Sequence, residues 1–164
     1  MVKKILFVCT GNTCRSSMAE AIARKMLTDR KGDAHAQVLS AGLAALPNAG
    51  ATEEAVIVMR EMGLDLGAHK ATLLTPRLVK EADLILTMTL AHKEQVKQMA
   101  GQEVCQERRK IFTLAEFARA GAGADIRDPI GGSLKVYRQC AAELRSLIEP
   151  ALDKILTGRE SENK

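Results

Sequence analysis

Between Val8 and Ser17 the chain reads VCTGNTCRSS, two cysteines and an arginine bracketing a Gly11-Asn12 turn. Gly and Asn both tolerate positive φ, so successive backbone N–H groups can turn toward one centre and form an anion-binding nest. A helix beginning near Ser16 would add unpaired N–H groups and the positive end of its dipole. Arg15, at the mouth of that helix, can fork two donors onto one tetrahedral oxyanion. The same field favours a thiolate over a thiol. Cys9, where the chain passes into the loop, would then lie beneath the anion with its sulfur aimed at the central atom. A sulfur nucleophile under a held oxyanion suits attack on phosphorus. No Walker-type lysine follows the loop to suggest a nucleotide.

Such a loop must be held at both ends. Lys4 to Cys9 is a continuous apolar run stopped by Thr10-Gly11-Asn12, the pattern of a fully buried strand. Beyond the loop, Ser17-x-x-Glu20 matches a capping box, and Met18, Ile22 and Met26 share one helical face. The alternation continues with a strand at Gln37 to Ala41 closed by Gly42, and a helix at Ala51 to Met62 stopping before Gly63. Then come a short helix at Pro76 to Glu81 with proline first, a strand at Asp83 to Met88, a helix at Leu90 to Met99, and a shorter strand at Lys110 to Leu114. The stretch GAGADIRDPIGGS leads into a long helix from about Leu134. Pro150 should kink or restart that helix near Glu149. The tail from Thr157 to Lys164 should fray. The pattern implies an α/β fold, three layers α/β/α around a four-stranded parallel sheet. Ligands in such sheets sit at the C-terminal strand ends beside helix N-termini, where the opening loop lies.

Composition narrows the function. A chain of 164 residues, 46% hydrophobic, is long enough for one domain over residues 1–164 with a core that needs no staples. A net charge of +4 suits an anionic substrate without requiring one. Aromatics at 2%, with no Trp, offer no stacking platform for single-stranded nucleic acid, so no nucleic-acid partner is expected. The N-terminal apolar run is about five residues, shorter than the roughly 7–15 of a secretory signal. No segment nears the ~18–20 apolar residues of a membrane span. The expectation is a cytoplasmic monomer without membrane contact, its Cys9, Cys14, Cys105 and Cys140 reduced. Clustered cysteines there point to catalysis or metal rather than disulfides. A zinc site on Cys9 and Cys14 would want two more ligands, and no other close Cys/His pair supplies them.

Cys9-x5-Arg15-Ser16 on a strand, loop and helix at the N-terminus resembles the low-molecular-weight protein tyrosine phosphatase family. The resemblance runs over nearly the whole chain, with Ser40-Ala41-Gly42, His69-Lys70-Ala71 and Asp128-Pro129 as further landmarks in order. It implies that Cys9 is the nucleophile, forming a cysteinyl-phosphate without metal or cofactor. It implies that Arg15 and the backbone of Thr10, Gly11, Asn12, Thr13, Cys14 and Arg15 hold the phosphoryl oxygens. Asp128 would protonate the leaving group and then activate water. Asn12 would occupy the strained loop position, supported by Ser16, Ser40 and His69. The chemistry independently wants an acid, since a carboxylic acid aimed at the leaving group gives ~10²–10⁴-fold. Asp125 is the rival but lacks the following proline. CTGNTCRS together with DPIGGS and Tyr137 further resembles the bacterial protein-arginine phosphatases. Tyrosine-specific members usually carry an aliphatic residue where Thr13 stands, and many have aromatics just after Asp-Pro. Ser17 departs from the family, where most members have proline.

The implied substrate is therefore phosphorylated protein, phosphoarginine before phosphotyrosine. An arsenate reductase shares the fold and loop but needs relay cysteines that Met88 to Gln98 lacks. A non-catalytic phosphoprotein-binding module would need neither the thiol nor the acid. Cys14 can be read as loop packing or as a redox partner of Cys9. Cys105 and Cys140 read as inert, the run Glu107-Arg108-Arg109-Lys110 as solvated surface, and His35 and His92 as ordinary structural histidines. His69 alone would read as a cap or core residue; the resemblance makes it loop support.

Overall fold

Along β1 (Lys4–Cys9), Ile5, Phe7 and Cys9 alternate with Leu6 and Val8, and the two sets enter separate hydrophobic clusters. A strand apolar on both faces must be central, and β1 is. In the computed structural model, which describes residues 2–30, 36–101, 110–119 and 124–157, it has a parallel partner on each side. β2 (Gln37–Gly42) runs in register from Lys4 opposite Gln37 to Cys9 opposite Gly42. β3 (Leu84–Thr87) lies on the other side, Ile5 opposite Leu84 and Val8 opposite Thr87. β4 (Ile111–Thr113) pairs with β3, giving the all-parallel order β2-β1-β3-β4. The chain leaves β1 toward β2 in one direction and reaches β3 in the other. The crevice at the C-terminal ends of β1 and β3 is thus the switch point where such sheets take ligands.

Helices cover both faces. In chain order they are α1 (Arg15–Asp29), α2 (Glu53–Glu61), α3 (Pro76–Glu81), α4 (Leu90–Ala100), α5 (Leu114–Arg119) and α6 (Leu134–Leu156). Residues from α1, α2, α5 and α6 pack with Ile5 and Phe7, while Val79 of α3 and Val96 of α4 pack with Leu6 and Val8. Among the described residues no helix is long and apolar enough to cross a membrane. The readings for His35, Cys105, residues 107–109 and the tail beyond Thr157 lie outside the described residues.

Three sequence expectations need correction. The Ser17…Glu20 capping box does not form. α1 already starts at Arg15, so Ser17 lies inside its first turn, buried, donating its hydroxyl back to the Cys14 carbonyl at 2.9 Å. A true capping box occurs instead at Thr113 and Glu116. The Glu116 carboxylate accepts the Thr113 N–H at 3.0 Å and the Thr113 hydroxyl accepts the Glu116 N–H at 3.1 Å. It starts α5, a helix the sequence reading did not include. Finally, of the kink or restart expected at Pro150, the restart does not occur, and α6 runs on as one helix. Leu147, Ile148, Ala151 and Leu152, all buried, carry the helix through, so core packing outweighs the one backbone bond that proline removes.

Candidate active site

The loop between β1 and α1 turns on Asn12, whose φ is +56° and whose side chain is wholly buried. Every polar group of Asn12 is engaged. Its side-chain oxygen accepts the Thr72 N–H at 2.9 Å, which fixes the amide orientation. Its amide nitrogen then donates to the Ser16 hydroxyl at 2.8 Å and the Ser40 hydroxyl at 2.9 Å. The His69 Nε2 lies 2.7 Å from its carbonyl oxygen. Left-handed backbone at a non-glycine residue costs free energy, and this ring of partners holds it. Behind His69, Glu20 approaches Nδ1 to 4.0 Å, and burial raises its carboxyl above the usual range against the pull of Arg24, His69 and Ser40.

Cys9 ends β1 with its sulfur buried and facing donors. The Asn12 N–H points at Sγ from 3.3 Å and the Ser16 hydroxyl lies 2.9 Å away. Ser16 Oγ already accepts from Asn12, and its one hydrogen has two acceptors in reach, the Cys9 sulfur at 2.9 Å and the more distant Ala41 carbonyl at 3.5 Å. Above the sulfur, the N–H groups of Gly11, Thr13 and Cys14 find no protein acceptor among the described residues. α2, α3, α4 and α6 each begin with a Thr or Ser hydroxyl accepting a first-turn N–H, but α1 has no side-chain cap. Its positive end is left for a ligand.

Arg15 completes the donor set. Only 4% exposed, it donates from Nη1 to the Ile126 carbonyl at 3.1 Å and pairs through Nη2 with Asp128 at 3.2 Å. Its Nε is buried and unpartnered among the described residues. An uncommitted charged donor in such a place is costly unless it serves an acceptor that comes and goes. Asp128 sits at the surface end of this pair, its side chain 43% exposed and its Oδ1 accepting the Ile130 N–H at 3.1 Å. The turn after it needs glycine twice. Gly131 has φ +75°, and a Cβ on Gly132 would meet the Pro129 carbonyl at 2.8 Å. Asp125 is occupied elsewhere, accepting the Leu90 N–H at 2.8 Å where α4 begins.

The other cysteines divide. Cys14, the N-cap residue of α1, turns its sulfur toward the Tyr137 hydroxyl at 3.4 Å and the Thr52 hydroxyl at 3.7 Å. Burial and the Cys14 contact raise the Tyr137 phenol. Cys140, buried behind Arg127, is pushed by desolvation up to about 12 and stays a thiol. Thr13 is half-buried on the loop, its carbonyl tied to the Thr52 N–H at 3.0 Å. Among the described residues no cluster of three or more His, Cys, Asp or Glu is placed to hold a metal ion.

His92 is the residue that sequence reasoning set aside, and the fold brings it to the loop. Its Nε2 lies 2.9 Å from the Thr10 hydroxyl, across 82 positions in sequence. Burial, then the neighbouring Arg15, depress it to about 4, against the opposing pull of Asp125 and Asp128. Its place two residues into the helix after β3 was the available signal, because that helix starts at the switch-point crevice.

A family model described as low molecular weight phosphotyrosine protein phosphatase matches residues 4–161. The chain is 43% identical over 144 residues to a protein-arginine-phosphatase of Bacillus subtilis (strain 168), covering 88% of this chain and 91% of that protein. It is 35% identical over 146 residues to the low molecular weight protein-tyrosine-phosphatase PtpB of Staphylococcus epidermidis, covering 89% and 94%. Among solved structures, a YwlE arginine phosphatase whose cysteine-to-serine mutant carries a phosphorylated active site serine matches with a TM-score of 0.83. The identity there is 40%, over 95% of this chain and 97% of that one.

Proposed function

The chain belongs to the low molecular weight phosphotyrosine protein phosphatase family, and we propose that its preferred substrate is phosphoarginine in protein, hydrolysed through a cysteinyl-phosphate on Cys9. The observation that carries this reading is Arg15, a buried guanidinium with an uncommitted Nε, set beside an uncapped helix start and a sulfur that faces two donors.

The phosphoryl oxygens lie against the N–H groups of Gly11, Thr13 and Cys14 and the Arg15 guanidinium. Cys9 Sγ attacks phosphorus as the bond to the guanidine nitrogen breaks, and Asp128 gives that nitrogen its proton. In the second half, Asp128 takes a proton from water as the water oxygen attacks phosphorus and the P–S bond breaks. Inorganic phosphate leaves and the thiolate is restored. Donors aimed where charge develops supply most of the acceleration, and the acid a further ~10²–10⁴-fold.

Two features favour arginine over tyrosine. Thr13 places a hydroxyl on the half-buried loop rim, and Ile130-Gly131-Gly132 puts no aromatic beside Asp128. The Bacillus subtilis relative is named for phosphoarginine chemistry. Phosphotyrosine is the second reading, since Ile130 is 63% exposed beside the acid and could meet a phenyl ring. Purified enzyme assayed on matched phosphoarginine and phosphotyrosine peptides should show the higher kcat/KM for phosphoarginine. Cys9→Ser should turn over neither. A preference for phosphotyrosine would overturn the assignment of substrate.

A further inference from the structure

The imidazole at the start of α4 has no part in the mechanism above, yet it touches the loop that performs it. His92 is 6% exposed, and its backbone N–H donates to the Thr89 hydroxyl at 3.1 Å. Segment 125–126 ties this corner to the site. The Asp125 carboxylate accepts the Leu90 N–H, and Ile126 links the Met88 carbonyl through its N–H to the Arg15 guanidinium through its own carbonyl. From there the His92 Nε2 reaches the hydroxyl of Thr10, the exposed residue directly after Cys9, at 2.9 Å.

The ring's other nitrogen decides the direction of that bond. His92 Nδ1 is buried with no partner among the described residues. A hydrogen on Nδ1 would be an unpaired buried donor, which proteins tolerate less often than an unpaired acceptor. The hydrogen therefore belongs on Nε2, and burial and Arg15 keep the ring neutral at pH 7. Nε2–H donates and Thr10 Oγ1 accepts. The hydroxyl of Thr10 thus keeps its own hydrogen to give away at the mouth of the loop.

We propose that His92 is a positioning residue for the phosphate loop: its Nε2–H holds the Thr10 side chain so that the Thr10 hydroxyl donates to an oxygen of the bound phosphoryl group. Thr10 adds a side-chain donor to the backbone nest, and His92 acts only through it. The inference rests on the phosphatase reading.

The test is steady-state hydrolysis of p-nitrophenyl phosphate by wild type, Thr10→Val, His92→Leu, His92→Gln and the double variant Thr10→Val/His92→Leu, each checked for a cooperative thermal transition. A lost hydrogen bond to a charged group predicts about a tenfold or greater fall in kcat/KM for Thr10→Val and for His92→Leu. The double variant should be no worse than the poorer single one, because both remove the same donor. His92→Gln, which keeps a side-chain N–H of similar reach, should recover most of the rate. A silent Thr10→Val, losses that multiply in the double variant, or a His92→Gln as poor as His92→Leu would each overturn the proposal. If His92→Leu fails to fold, Thr10→Val and His92→Gln still decide. Absence of turnover by wild type would instead strike the phosphatase reading itself.

Discussion

Substituting Gly42 by alanine should disable the phosphate loop without replacing any residue of the loop itself. A Cβ built on Gly42 would stand 2.6 Å from the Thr10 carbonyl oxygen, 2.8 Å from the Asn12 nitrogen and 2.9 Å from the Gly11 carbonyl carbon, all backbone atoms of the loop. Gly42 cannot retreat, because its N–H is held by the Thr72 carbonyl and its carbonyl by the Leu74 N–H, both at 2.9 Å. The loop must give instead, by about 0.5–0.8 Å to reach an ordinary contact near 3.4 Å. Misplacement on the order of 1 Å can cost about 10²-fold in rate, so kcat/KM for p-nitrophenyl phosphate should fall roughly 10–100-fold. Overpacking of this kind costs ~1–3 kcal/mol, a Tm lowered by roughly 2–12 °C. Gly50→Ala is the control, since a Cβ there meets nothing within 4 Å. The reasoning fails if folded Gly42→Ala matches wild type, or if Gly50→Ala loses as much.

Thr13→Ile exchanges a rim hydroxyl for hydrocarbon, worth about 1 kcal/mol in each direction. It should lower kcat/KM for phosphoarginine and raise it for phosphotyrosine, a combined shift of roughly tenfold or more; parallel changes would remove Thr13 as the selector. Asp128→Asn should slow poor leaving groups by about 10²–10⁴-fold and good ones much less, read from a series of substituted phenyl phosphates. Stability should carry a signature of His92. Its value near 4 in the fold lies below the unfolded 6.5, so the unfolded chain binds the proton first as pH falls. Up to about 3 kcal/mol of stability is therefore lost between pH 6.5 and 4. Urea melts at pH 7 and 4.5 should show His92→Gln losing less than wild type over that interval; an equal loss would contradict the cause.

Much of this was written in short stretches of sequence. β1 is buried on both faces and so reads as an unbroken apolar run. Cys9, Asn12, Arg15 and Ser16 lie within eight residues, so their mutual geometry follows from one strand end, one left-handed turn and one helix start. What the sequence could not reveal comes from chain segments far apart. Thr72 reaches Asn12 through its backbone N–H, which no residue type encodes, and His92 meets Thr10 only after β3 aligns beside β1. Gly42 could be recognised as a landmark, but the reason for it is a contact between β2 and the loop. The capping pattern misled because Ser17…Glu20 and Thr113…Glu116 have the same spacing. The Asn12 turn feeds the chain into helix at Arg15, leaving Ser17 too late to cap.

The central claim is that Cys9 carries the phosphoryl group during turnover. Enzyme mixed with a phosphoarginine protein and quenched in acid within the first turnovers can be digested and weighed by mass spectrometry. Asp128→Asn, slowed in hydrolysis of the intermediate, should enrich whatever forms. The account predicts one phosphoryl group on the peptide bearing Cys9, and none on that peptide in Cys9→Ala. Turnover with no such adduct, or with the phosphoryl group on another residue, would contradict it.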